Sequence, residues 1–225
     1  MRLAGLVFDL DGTLVDTAPD LAAATNFVLV AEGRRAVTLE EIRAMVGQGA
    51  RRLIERGFAA TGEPVASARL EPLYQRFIAH YTAHIADESR LFPGAAELVN
   101  RCRAHGLALA VCTNKLEAMS VKLMQEMGLA QDFPVIVGPD TIGIAKPDAA
   151  PYREACRRLA IDPAASLMIG DSETDILTAR AAGVAVIAVS FGYTDAPVSS
   201  FGPDHVVDHF DEVWALIEGR LTAPS

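Results

Sequence analysis

Five short apolar runs, Leu3–Phe8, Leu107–Cys112, Val135–Gly138, Ser166–Ile169 and Ala185–Val189, are each bounded by turn residues. Runs of this length without polar alternation read as strands covered on both faces, the condition of a parallel sheet. Between the later runs lie segments with helical spacing: Pro93–His105 stopping at Gly106, Leu116–Met127 at Gly128, Pro151–Ala160, and Thr174–Ala182 at Gly183. Glycine just past the last periodic residue is a common helix stop, because it enters the left-handed conformation freely. Alternation of strand and helix from about residue 91 onward predicts an α/β fold built on a doubly wound parallel sheet. A weaker strand, Val206–Val207, and a helix, Asp211–Leu221, close the pattern, and Thr222–Ser225 is expected to fray.

The chain between the first and second runs breaks this rhythm. A crossover needs a dozen or more residues; this one is far longer and holds no convincing strand. Ala18–Ala31 reads as a helix ending at Gly33, and Thr38-Leu39-Glu40-Glu41 reads as a capping box. Arg51–Ala60 is a third helix, stopped at Gly62. Ala66–Ala86 is a fourth, with Leu70, Leu73, Phe77 and Tyr81 on one apolar stripe. The expected organisation is an α/β core, residues 1–15 and 89–225, and a small all-α helical cap, residues 16–88.

Composition narrows the partners. The 225 residues are 51% hydrophobic, enough for a full core without staples, and carry a formal net charge of -9. Nucleic acid and anionic membrane surfaces are therefore poor partners. An anionic substrate would need local cations, a metal or backbone N–H groups. Cys102, Cys112 and Cys156 form no CxxC, which argues against a disulfide framework or zinc ribbon and predicts buried, reduced thiols. No apolar run approaches the roughly 18 residues of a membrane span. Met1-Arg2-Leu3 leads straight into a strand, so no secretory leader is expected and a cytoplasmic location is.

The candidate chemistry sits where the predicted strands end, the ligand-binding edge of an open α/β sheet. The first run is followed by Asp9-Leu10-Asp11-Gly12-Thr13. Carboxylates two residues apart on an extended segment share a side, and such crowding calls for a cation or a shared proton. The second run ends in Thr113-Asn114-Lys115, and Lys146-Pro147-Asp148 lies beyond the third. The fourth ends in Gly170-Asp171-Ser172-Glu173-Thr174-Asp175, and the fifth in Ser190-Phe191-Gly192-Tyr193. Taken singly, Thr113 reads as a helix cap, Lys146 as a surface lysine, and Asp171 and Asp175 as acids favoured at a helix N-terminus. Together they supply carboxylates, a hydroxyl, an amide and a lysine, a set suited to a hard cation and a phosphate.

In these residues the chain resembles the haloacid-dehalogenase superfamily of phosphotransferases. All four of its motifs are matched: DxDGT at Asp9–Thr13, the strand-end Thr at Thr113, the Lys at Lys146, and GDxxxD at Gly170–Asp175. The resemblance spans nearly the whole chain and places a cap between motifs one and two. It implies Asp9 as nucleophile, forming an aspartyl-phosphate, and Asp11 as general acid, then base. It implies Mg²⁺ held by the Asp9 carboxylate, the Asp11 backbone carbonyl and Asp171, with Asp175 in support. Thr113, Asn114, Lys146 and the backbone from Leu10 through Gly12 to Thr13 would bind the transferring phosphoryl oxygens. Asp11 favours phosphoester over dehalogenase chemistry, since a departing halide needs no proton. The absence of lysine from residues 16–88 speaks against a Schiff-base phosphonate hydrolase.

A narrower likeness is to the phosphoglycolate phosphatases, carried by Asp9–Ala24, Val46–Ile54, Phe92-Pro93-Gly94, Val111–Lys115 and Phe191–Thr194. It implies hydrolysis of 2-phosphoglycolate, a small phosphorylated metabolite, by a monomer or homodimer. Around motif three the chain departs from the usual pattern: Ala145 and Ala149 stand where Arg and Pro are common, which predicts a less rigid loop around Lys146. The cap turn Gly47-Gln48-Gly49 opens a helix, a place that attracts anions, and Arg51 or Arg52 adds charge for the substrate carboxylate. Competing readings are a phosphatase for an amino-sugar phosphate, another sugar phosphate or pyrophosphate, a phosphosugar mutase, and a phospho-acceptor receiver. The last is shorter, lacks a cap and carries its acceptor on a later strand. His80 and His84 read as surface residues rather than metal ligands, and Trp214 as core packing. The cap is expected to open and close through the connections near Asp16 and Glu88–Leu91.

Overall fold

The computed structural model describes residues 2–194 and 196–221; the tail Thr222–Ser225 lies outside them. Its centre is a six-stranded sheet made of β1 (Gly5–Phe8), β4 (Ala108–Cys112), β5 (Val135–Val137), β6 (Ser166–Gly170), β7 (Ala185–Val189) and β8 (His205–Val207). The spatial order is β5-β4-β1-β6-β7-β8, and every pairing is parallel. The predicted runs are thus found as strands: the first three are one or two residues shorter, β6 runs one residue further, to Gly170, and β7 has the predicted bounds.

Both faces of the sheet are covered, which is why the strands read as continuous apolar runs. Leu6 and Phe8 of β1 join Leu109, Val111, Leu167 and Ile169 in one core, beneath α5 (Ala95–Ala104), α6 (Glu117–Glu126) and α10 (Phe210–Ile217). Val7 joins Ala110, Cys112 and Met168 in the other, beneath α8 (Ala150–Arg158) and α9 (Glu173–Ala182). All three cysteines are buried and unpaired, and burial pushes the Cys102 and Cys112 thiols up to about 12. Trp214 is only partly in the core; its indole N–H donates to Glu218 (3.0 Å) at the surface. The predicted last helix ends early, at Ile217, and continues as a 3₁₀ turn over Glu218–Arg220.

Between β1 and β4 the chain forms the predicted helices: α1 (Ala18–Ala31), α2 (Leu39–Arg43), α3 (Ala50–Thr61) and α4 (Ser67–Ala83). The Thr38 capping box is formed, with Glu41 N–H donating to the Thr38 hydroxyl and Thr38 N–H to the Glu41 carboxylate. Leu73, Phe77 and Tyr81 bury the α4 stripe against Leu21, Val28 and Leu29 of α1. This apolar cluster is continuous with the sheet core.

A two-stranded antiparallel ribbon, β2 (Val15–Asp16) with β3 (Arg90–Leu91), joins the two connections of the insertion; Val15 faces Leu91 and Asp16 faces Arg90. Two-residue strands carry no periodicity, so the sequence pattern contained no sign of it. Beside it, the buried Asp20 carboxylate accepts from Glu88 N–H (3.0 Å), Ser89 N–H (2.9 Å) and the Ser89 hydroxyl (2.6 Å). A short helix, α7 (Pro139–Ile142), also unsignalled, follows β5.

Candidate active site

β1 lies between β4 and β6 and ends one residue before they do: its last residue, Phe8, is paired with Val111 and Ile169. The residues that follow therefore converge, with Asp9 N–H donating back to Ile169 O (2.8 Å). Above them, between the sheet and the insertion, is a cavity of about 500 Å³. Asp9, Asp11, Thr113, Lys115 and Lys146 line its sheet side; Gly47, Gln48, Gly49, Arg51 and Tyr81 line the side of the insertion.

Lys146 reaches in from beyond β5 and α7. Its ammonium donates to Asp9 Oδ1 (2.8 Å) and Asp175 Oδ1 (2.5 Å). Burial alone would favour a neutral lysine, but the Asp175 and Asp9 carboxylates outweigh it and raise the pKa. Burial acts the other way on the acids. Asp9 is pushed up to about 7, opposed by Lys146 and reinforced by Asp175. Asp171 is also raised well above the usual carboxylate range, by burial and then by Asp175 and Asp9.

Asp9, Asp171 and Asp175 bring carboxylate oxygens within 4.8 Å of one another, all buried. One lysine among three carboxylates leaves an excess of negative charge that a divalent, oxygen-binding cation would neutralise. The donor set therefore fits such a cation. Asp175 is the least free of the three: its second oxygen accepts from the N–H groups of Asp171 (3.2 Å) and Ser172 (3.1 Å) and from the Ser172 hydroxyl (2.7 Å). It shapes the loop that presents Asp171. Asp171 in turn accepts from the Thr13 hydroxyl (2.9 Å) and Tyr193 N–H (2.6 Å).

Several predicted site residues hold other residues rather than face the cavity. Thr13 is fully buried behind Asp171 and does not line it. Gly12 N–H is spent on Val15 O (3.0 Å), whereas the N–H groups of Leu10, Asp11 and Asn114 have no acceptor among the described residues. Gly12 has φ +88°, and a Cβ there would lie 2.3 Å from Asp171 Oδ2, so only glycine fits. The Asn114 side chain is fully committed: Nδ2 donates to Gly47 O (3.1 Å) and Lys146 O (3.2 Å), and Oδ1 accepts from Lys146 N–H (3.0 Å). It clamps the loop expected to be loose, so the missing Arg and Pro around Lys146 are offset from a neighbouring strand. Arg51 lines the cavity but is paired with Glu71 (2.5 Å) and stacked on the Tyr74 ring, 4.0 Å from its centre. Arg52 is paired with Glu55 on the exposed side of α3 and does not line the cavity. His80 is half-buried, stacked on Phe27, and His84 is exposed beside Asp87.

The structure also adds residues. Lys115 is buried, its ammonium 2.9 Å from Asp11 Oδ1 and 2.8 Å from the Tyr81 hydroxyl. The Thr17 hydroxyl donates to the same Asp11 oxygen (2.7 Å). Thr113 Oγ1 accepts from Lys115 N–H (3.1 Å), which leaves its proton to donate. Lysine is rare here, with Lys115, Lys122 and Lys146 alone in the whole chain, and one of them directly beyond a strand end was the available signal.

Residues 6–189 match the family model of the haloacid dehalogenase-like hydrolases. The chain belongs to this family. It is a hydrolase, of the phosphatase branch that its relatives define. It is 46% identical over 210 residues to a phosphoglycolate phosphatase of Caulobacter vibrioides, covering 93% of this chain and 89% of the relative. To a phosphoglycolate phosphatase of Agrobacterium fabrum it is 45% identical, covering 96% and 93%. Among solved structures, a predicted phosphoglycolate phosphatase from Haemophilus somnus superposes with a TM-score of 0.90 at 28% identity, covering 96% of this chain and 98% of that one. CbbY from Rhodobacter sphaeroides, solved in complex with phosphate, superposes with a TM-score of 0.79 at 27% identity, covering 95% and 96%. No helix among the described residues is long and apolar enough to cross a membrane.

Proposed function

We propose that this hydrolase converts 2-phosphoglycolate to glycolate and phosphate with the help of Mg²⁺, through a phosphorylated Asp9. The observation that carries the chemistry is the pairing of Asp9 and Asp11 at the floor of one cavity, each held by its own buried lysine. The relatives of similar length carry the choice of substrate.

Lys146 fixes Asp9 Oδ1, which leaves Oδ2 to attack phosphorus. The Asp9 O–P bond forms as the bond to the leaving oxygen breaks, and Asp11 gives that oxygen its proton. The phosphoryl oxygens are received by the Thr113 hydroxyl, the Lys146 ammonium and the unspent N–H groups of Leu10, Asp11 and Asn114. Asp11 then takes a proton from water, whose oxygen attacks the phosphorus and releases phosphate from Asp9. Mg²⁺, held by Asp9, Asp171 and the Asp11 carbonyl, would supply charge that offsets repulsion between the phosphate dianion and these carboxylates. The insertion acts in this reading as a cap that excludes bulk water.

The test is phosphate release at neutral pH with Mg²⁺ from 2-phosphoglycolate, glucose phosphates, an amino-sugar phosphate, pyrophosphate and phosphoserine, with Asp9→Asn as the blank. Preference for phosphoglycolate, abolished in the blank, is the expected result. A preference for sugar phosphates would keep the chemistry and replace the substrate.

A further inference from the structure

We propose that Lys115 reads the carboxylate of the substrate and that Tyr81, from the insertion, holds its ammonium in place to do so. This rests on the reading that the substrate is a small carboxylated phosphate ester.

Among the described residues, three cationic side chains line the cavity: Arg51, Lys115 and Lys146. Lys146 places two of its donors on Asp9 and Asp175, and its third goes to the phosphoryl group in the proposed reaction. Arg51 is paired with Glu71, and half of its side chain is exposed, so solvent screens its charge. The Lys115 side chain is only 5% exposed. Its ammonium has three donors; Asp11 and Tyr81 take two, which leaves one for a ligand. A dry cation with a spare donor is worth far more to an anion than a solvated one.

Position selects the same residue. Asp11 Oδ1 is occupied by Thr17 and Lys115, and Oδ2 has no partner among the described residues. The leaving oxygen of the ester therefore meets Oδ2. In phosphoglycolate the carboxylate carbon is two bonds beyond that oxygen, a reach of roughly 2.5 Å, about one hydrogen-bond length. A carboxylate carried so close to Asp11 falls beside the cation that already touches Asp11. A longer substrate would carry its charge past Lys115.

Tyr81 is fully buried on α4, and its hydroxyl accepts from Lys115 while its ring faces the ammonium 4.5 Å from the centre. The insertion thus sets specificity through one hydroxyl aimed at a core lysine, and not through the arginines that open α3.

The experiment compares kcat/KM for 2-phosphoglycolate and for ethyl phosphate, which has the same leaving oxygen but no carboxylate. In the wild type the ratio favours phosphoglycolate. Lys115→Met is expected to lower that ratio by about 10- to 100-fold, the scale of one lost charge-assisted hydrogen bond, whatever it does to the two activities separately. Tyr81→Phe, which keeps the charge and removes the hydroxyl, should lower it several-fold and serves where Lys115→Met fails to fold. Equal losses on both esters would overturn the proposal and leave Lys115 a positioning residue for Asp11. An unchanged ratio in Lys115→Met with a fallen one in Arg51→Met would overturn it in favour of Arg51. Inactivity of the wild type on phosphoglycolate, with activity on other esters, would instead remove the substrate reading on which it stands.

Discussion

At the scale of single residues, the site is shaped as much by what is missing as by what is charged. Gly12, Gly170 and Gly192 leave room for Asp171 and Asp175: a Cβ on Gly192 would lie 2.1 Å from the Asp171 Cβ, and one on Gly170 would lie 2.4 Å from the Asp175 Cβ. Gly12→Ala would push its methyl into Asp171 Oδ2 and displace a proposed metal ligand. Gly143→Ala is the matched control, since Gly143 also has a positive φ but nothing within 4 Å of its added Cβ. The control should cost only backbone strain, about 1 kcal/mol. Gly12→Ala is expected to lower phosphatase activity by about 100-fold or more, as small misplacements at a reacting centre do, with circular dichroism confirming a retained fold. Comparable activity in the two variants would show that Asp171 tolerates displacement.

At the scale of elements, the insertion is fastened to the sheet by groups far apart in the chain. Asp20 of α1 accepts three hydrogen-bonding groups from Glu88 and Ser89, and the Tyr193 hydroxyl donates to Asp16 and accepts from Ala18 N–H (2.9 Å). Asp20→Ala strands buried donors at the junction and should destabilise the protein by about 3 kcal/mol, with Asp20→Asn intermediate; chemical denaturation measures both. A loss below about 1 kcal/mol would mean the junction is held by the β2–β3 ribbon and Tyr193 without Asp20. These fastenings mark the limit of what the sequence disclosed. The parallel sheet, the helices of the insertion and the acidic strand ends were legible, because burial on two faces, the 3.6-residue period and clustered carboxylates each leave a local trace. The ribbon, the Asp20 junction, the Asn114 clamp and the Lys115–Tyr81 contact were not, because each joins residues whose local context is ordinary and whose meaning comes only from partners more than thirty residues away. Asn114 was legible as part of the site but not as a support for Lys146, and Thr13 was legible in its motif but not as a partner of Asp171.

At the scale of the whole molecule, the strand order places β1 where the chain reverses its direction of travel across the sheet, and a crevice opens there at the carboxyl ends. Three of the four buried acids among the described residues, Asp9, Asp171 and Asp175, gather in that crevice, and the desolvation of Asp9 and Asp171 links the site to global stability. The Asp9 carboxyl, raised to about 7 chiefly by burial, and Asp171, raised for the same reason, bind protons more tightly in the folded chain than in the unfolded one. Between about pH 4, the ordinary carboxylate value, and pH 7 the folded state therefore holds the extra protons, and without metal its stability falls as pH rises through that window. Below it both states are protonated and the effect vanishes. A divalent cation binds only the ionised carboxylates and reverses the penalty, so its stabilisation must grow over the same interval. One pKa unit is worth about 1.4 kcal/mol, or roughly 3–5 °C in Tm for a chain of this size. Thermal melts with EDTA and with saturating Mg²⁺ should therefore show a Tm gain from Mg²⁺ at least about 3 °C larger at pH 8 than at pH 5, and Asp171→Asn should flatten the difference. A gain independent of pH would place the cation away from these carboxylates.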